Sequence, residues 1–200
     1  MNRSRIGKGL IALVVLVAVV SAAGCGKPAD GPLQTANSQG QPYVGMGTSL
    51  VRPDQSSDGE AYVLNSADGP VQITGVTAVP VTDEPEGHLV HVGLQLAGAG
   101  VGGGEGWPPD VPLTAAVGGE IPPGLTGIVF AMAGSAADRD YAVAGLRIAY
   151  EYHGRAYSTI AWTGAAACVY SVGNGDADLV SCAAFGNKVN AIVEDMSGLS

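Results

Sequence analysis

Gly145-Leu146-Arg147-Ile148-Ala149-Tyr150-Glu151-Tyr152-His153-Gly154-Arg155-Ala156-Tyr157-Ser158-Thr159-Ile160-Ala161-Trp162 is the most legible stretch of this chain. Leu146, Ile148, Tyr150 and Tyr152 lie against Arg147, Glu151 and His153, and Ile160 and Trp162 lie against Arg155, Tyr157 and Thr159. Successive side chains of a strand point to opposite faces, so this period of two predicts strands with one face buried. Between the two runs stands Tyr152-His153-Gly154-Arg155, where glycine takes positive φ without penalty. That predicts a tight hairpin and an antiparallel pair.

The same alternation recurs on both sides. Val44, Met46, Thr48 and Leu50 alternate with Tyr43, Gly45, Gly47 and Ser49. Val71, Ile73, Thr77, Val79 and Val81 share one parity, as do Val90, Val92, Leu94 and Leu96, and Ile128, Phe130 and Met132. Each set is expected on a single face, and a shorter strand is expected around Ala61–Leu64. Ser66-Ala67-Asp68-Gly69-Pro70 and Ile121-Pro122-Pro123-Gly124 read as turns. Short strands separated by such turns predict an all-β fold, a two-sheet antiparallel sandwich, over residues 43–167. In residues 168–200 the period changes. Leu179, Cys182, Phe185, Val189, Ile192 and Met196 recur at three or four residues, which predicts a short C-terminal helix weakened by Gly186.

The N-terminus has another character. Arg3, Arg5 and Lys8 precede an apolar run of 16 residues from Gly9 to Gly24. A basic region followed by an apolar one is the layout of a secretory signal, and the run falls short of the roughly 20 residues of a spanning helix. It ends in Ser21-Ala22-Ala23-Gly24-Cys25-Gly26, which resembles the lipobox of bacterial lipoproteins. The resemblance implies that residues 1–24 are removed, that Cys25 is lipidated, and that the chain sits on the extracytoplasmic face of the cell membrane. Two acyl chains, at about 0.8 kcal/mol per buried methylene, hold a protein there without a spanning segment. Ordinary cleavage near Ala23, leaving Cys25 as a free thiol, is the alternative. Residues 26–42 are rich in Gly, Pro, Gln, Ser and Asn, so 25–42 is expected to be a lipidated cysteine and flexible tether. A coil of that length averages about 23 Å.

Three of the nine basic residues lie in the signal, which leaves six against 18 acidic residues, a net of about −12. That balance argues against nucleic acid and leaves the lipid, not surface charge, to hold the membrane. Glycine stands at 31 of 200, about twice ordinary usage, in keeping with many turns. Beyond Cys25, the cysteines are Cys168 and Cys182, and a pair in an oxidising compartment reads as a disulfide. A redox or metal pair is the alternative, without C-x-x-C spacing to support it.

The strand and turn segments Val71–Val76, Ile121–Gly124, Gly145–Tyr150 and Gly154–Tyr157 resemble the immunoglobulin-like sandwiches of actinobacterial lipoproteins over roughly residues 60–165. The resemblance implies a fold and carries no activity. The Cys…Trp…Cys core of antibody domains is missing from the sequence.

Several constellations bear on chemistry. His88-Leu89-Val90-His91 looks like a metal pair, but on a strand i and i+3 point to opposite faces, so surface histidines are expected. With Met46 or His153 added they would form a soft copper-type site, the alternative function. Asn174-Gly175-Asp176-Ala177-Asp178 begins like a calcium loop, but Leu179 and Phe185 stand where Gly and Glu are needed. Asp83-Glu84-Pro85-Glu86 reads as a solvated acidic turn, and Gly134-Ser135 lacks the nucleophile elbow. Trp107, between Gly and Pro in the loop 98–110, either caps the sandwich or, with Glu105 and Asp110, forms a binding loop. The expectation is a non-enzymatic binding module without a cofactor or resident metal. Its partners would be the membrane and an envelope protein or polymer.

Overall fold

The computed structural model describes residues 31–37, 40, 45–53, 55–81, 87–95, 112–134, 138–170 and 175–198. Cys25, the acidic run at 83–86, Ser135 and the loop with Glu105, Trp107 and Asp110 lie outside the described residues.

Two five-stranded sheets pack face to face, and one helix covers the second. The strands are β1 (Leu33–Ala36), β2 (Gly45–Val51), β3 (Ser57–Asn65), β4 (Val71–Pro80), β5 (Gly87–Gln95), β6 (Thr114–Ala115), β7 (Glu120–Ile121), β8 (Gly124–Gly134), β9 (Tyr141–Tyr152) and β10 (Arg155–Val169). The helix α1 spans Gly175–Ser197. The first sheet runs β1-β3-β8-β5-β6 and the second β2-β10-β9-β4-β7. The β9–β10 hairpin turns as its sequence requires. His153 and Gly154 both take left-handed φ, 49° and 71°, the conformation whose twist matches the flanking strands.

The inter-sheet core takes Ala61 and Val63 from β3, Ile128, Phe130 and Met132 from β8, and Leu146, Ile148 and Tyr150 from β9. A second core lies between the other face of β9, β10 and β4 and the helix. It holds Val79, Val81, Ala142, Ala144, Ala166, Val189 and Val193, with Trp162, Phe185, Ile192 and Met196 around it. Cys168 at the end of β10 and Cys182 in α1 form a disulfide, Cα atoms 5.5 Å apart, that staples the helix to the sheet.

The structure corrects several expectations. Residues 33–36 are not tether: β1 pairs antiparallel with β3, and Leu33 and Ala36 are buried. An edge strand needs only backbone partners and two inward side chains, so its polar composition did not announce it. The sandwich is not wholly antiparallel, because β2 pairs parallel with β10. Both β1 and β2 run in the direction of β8 and β10, so the chain passes from one sheet to the other without reversing and meets β10 in parallel. The last strand continues to Val169, past the expected boundary at 167. The helix is 23 residues long, not short, and its packed stripe begins at Cys182, leaving Leu179 exposed. Gly186, expected to weaken it, is buried where a side chain would run into the Thr48 hydroxyl of β2. The helix approaches the sheet closely because nothing is there.

Bulges break two of the expected faces. In β4 the register slips between Ile73 and Gly75, so Val71 and Ile73 enter the inter-sheet core while Val79 and Val81 face the helix. In β5 it slips between Leu89 and His91. Leu89, Val92 and Leu94 then turn inward, and Val90, expected with Val92 and Leu94, is exposed. An inserted residue shifts the parity of everything after it. Among the described residues, no helix is long and apolar enough to cross a membrane.

Candidate functional site

On the outer face of the first sheet polar side chains surround a floor of small ones. Ile128, Phe130 and Met132 of β8 point into the core, so Gly127, Val129, Ala131 and Ala133 point outward. Opposite them β3 presents Tyr62, Glu60 and Asp58, paired with Gly127, Val129 and Ala131. On the other side β5 presents Gln95, Gly93, His91 and His88, paired with Gly127, Val129, Ala131 and Ala133. The strip therefore has a small-residue floor, carboxylates and a phenol on one wall, and imidazoles and an amide on the other.

This face is unusually enclosed for the outside of a two-layer sandwich. Val129 and Ala131 are 0% exposed, Gln95 4% and Asp58 8%. Leu113 contributes to the cover, since a side chain on Gly93 would meet its Cβ and Cδ1 at 3.0 Å. Glu60 leans over Gly127, whose missing side chain makes the room. The Tyr62 hydroxyl donates to Glu60 Oε2 at 2.6 Å, a charge-assisted bond. Burial, that hydrogen bond and the Glu60 charge together hold the Tyr62 hydroxyl well above the usual tyrosine range. The Thr163 hydroxyl donates to the Glu60 carbonyl at 3.2 Å and ties the strip to the second sheet. Asp58, Glu60, His91 and Gln95 are each engaged in a hydrogen bond or electrostatic interaction.

His88 and His91 both belong here, against the expectation that a strand would send them to opposite faces. The bulge at Val90 restores their parity, and both are exposed. The other ligands of the copper-type grouping are elsewhere. Met46 lies on β2 at the edge of the second sheet, and His153 lies in the β9–β10 turn at the opposite end of the sandwich from His88. Among the described residues no three His, Cys, Asp or Glu side chains are grouped to hold a metal. His88 also borders an open groove of about 340 Å³ between β4 and β5, with Thr77, Pro80 and Leu89. The segment resembling a calcium loop is helical from Gly175 onward.

Asp58, Glu60 and Tyr62 were legible in principle. Ser57-Asp58-Gly59-Glu60-Ala61-Tyr62-Val63 alternates with both acids and the phenol on one parity, but only the apolar end of that run, Ala61–Leu64, reads as a strand by hydrophobicity. Chemically the strip offers anionic and neutral acceptors beside imidazoles, a combination suited to hydrogen-bonding a polar ligand. No protein-family model matches this chain, and no curated protein matches it.

Proposed function

We propose that this chain is a lipid-anchored extracytoplasmic binding module, a non-enzymatic immunoglobulin-like domain that holds an envelope protein or polymer. The observation that carries the binding role is the polar strip in which buried Asp58 and Gln95 and half-buried Glu60 and Tyr62 stand beside exposed His91. A sheet face with no recognition task has little reason to bury a carboxylate such as Asp58.

The immunoglobulin-like type is supported by strand order. Taking β1, β3, β8 and β5 against β4, β9 and β10 gives the ABED and CFG sheets of the constant type. A second support is Tyr141, the first residue of β9, whose hydroxyl donates to the Met132 carbonyl nine residues upstream at 3.2 Å. That is the tyrosine corner of such domains. The anchor is supported by Ser21–Gly26 and its cysteine.

The test is photo-crosslinking in cells from position 90, exposed between the two histidines, with position 180 on the helix as control. A partner captured at 90 and not at 180, and lost in Cys25→Ser or in Asp58→Asn with Glu60→Gln, is the expected result. Capture of nothing at 90, or of the same species at both positions, overturns the proposal. The second reading, copper-type metal binding, is favoured by the bulge that turns His88 and His91 to one face. Calorimetric titration with Cu(II) decides it: unchanged affinity after His88→Ala with His91→Ala sinks it.

A further inference from the structure

We infer that the end of the sandwich carrying the β9–β10 hairpin faces the lipid headgroups, with Tyr152, His153, Arg155 and Tyr157 at the membrane surface. This rests on lipidation of Cys25, as proposed above, and adds how the domain is held.

The chain is pinned much closer to the anchor than its composition implies. Gly31 lies against the Tyr150 hydroxyl and the Tyr157 ring so tightly that no side chain fits there. The Pro32 carbonyl accepts from the Ser66 N–H at 3.0 Å and the Ser66 hydroxyl at 2.9 Å. The Leu33 N–H donates to the Tyr150 hydroxyl at 3.3 Å. Five residues, 26–30, lie in sequence between Cys25 and the pinned Gly31. Six Cα–Cα steps span at most about 22 Å in any conformation.

The pinning point sits at one end of the sandwich. There β3 hands over to β4 through 66–70, β7 to β8 through Pro122 and Pro123, and β9 to β10 through His153 and Gly154. Buried Asn65 organises this end, its amide donating to the carbonyls of Gly69 and Ile121, both at 3.0 Å. The 12 residues of β9 run about 40 Å to the other end, beyond the tether's reach.

Side-chain type distinguishes the surfaces within reach. The outer strip carries Asp58 and Glu60, and the last turns of the helix expose Glu194 and Asp195, all repelled by anionic headgroups. The hairpin exposes His153 and Arg155 beside partly buried Tyr152 and Tyr157, the residue types that sit at a membrane interface. This end also carries Asp68, which accepts from the Tyr152 hydroxyl at 2.7 Å and stays ionised, and Glu120 and Glu151 opposite Gln72, so the short reach from Cys25 and the interfacial tyrosines, not net charge, carry the placement. His153 stacks on Tyr152 with ring centroids 4.0 Å apart, which presents the two as one surface. The opposite end, where β8 leads to β9 and β10 ends, then faces away from the cell.

The test uses the chain from Cys25 onward, its cysteine coupled through maleimide to vesicles of phosphatidylcholine and phosphatidylglycerol. A photoreactive residue replaces His153 in one sample and Asp138, exposed at the far end, in another. Lipid labelling several-fold higher from 153 than from 138 is expected, and insertion of a long Gly/Ser spacer after Gly26 should lower it. Equal labelling from the two positions, or labelling from 153 that ignores the spacer, overturns the inference. Chemical coupling makes this outcome independent of natural lipidation, which is read separately from the mass of the Cys25 peptide isolated from cells.

Discussion

Replacing Gly59 by alanine tests the packing beneath the candidate site. Gly59 faces Phe130 directly across β3 and β8. A Cβ built on it lies 2.7 Å from the ring's Cζ and 3.2 Å from both Cε atoms. Phe130 is 0% exposed and has nowhere to withdraw. Two terms oppose each other. Alanine in place of glycine in a strand contributes roughly 0.5–1 kcal/mol through the unfolded chain. Overpacking a filled core costs roughly 1–3 kcal/mol. The clash wins, and a net loss of about 1–2 kcal/mol is expected. With a urea m-value of about 2 kcal/mol/M, the unfolding midpoint falls by roughly 0.5–1 M. Phe130→Leu alone costs about 1–2 kcal/mol, but it vacates the space. In that background Gly59→Ala becomes neutral or stabilising, a coupling of about 1–3 kcal/mol. A rise in midpoint on Gly59→Ala in the unaltered chain would refute the registration of β3 on β8. That registration also sets Asp58 and Glu60 on the outer strip.

Four further outcomes rest on other contacts. Replacing Cys168 and Cys182 by alanine opens a loop of about 15 residues and is expected to cost about 3 kcal/mol, seen by calorimetry as a melting point lower by roughly 6–12 °C. Asn65→Ala removes the bonds to Gly69, Ile121 and Ala67, and a loss of about 2–4 kcal/mol is expected in thermal unfolding. In alkaline solution the raised Tyr62 hydroxyl keeps its proton in the fold after the unfolded chain begins to ionise at its usual 10.0. Its contribution is thus complete below that pH and lost as pH rises above it, and Tyr62→Phe should flatten the decline. Absorbance titration should show Tyr62, Tyr141, Tyr150 and Tyr152 ionising later in the folded protein than in urea.

Sequence alone determined what depends on neighbours in the chain. Alternation in 145–162 and the His153-Gly154 pair dictated a hairpin, because both signals are local: side-chain parity and access to positive φ. The pairing of Cys168 with Cys182 followed from their being the two cysteines beyond the N-terminal segment. The helix declared itself through the spacing from Leu179 to Met196, although Leu179 itself is exposed. Tertiary structure alone decided which faces those strands present and what pairs with what. A bulge depends on the partner strand and leaves no mark in composition, yet the bulge at Val90 put His88 and His91 on one surface. Leu33-Gln34-Thr35-Ala36 became a strand because an edge of β3 was free to pair with it. The polar strip exists because three strands distant in sequence lie side by side, and the chain is held from Gly31, inside a segment that reads as tether, because Tyr150, Tyr157 and Ser66 contact it there. Local preferences are written residue by residue, whereas register, enclosure and reach come from contacts the chain makes only once it has folded.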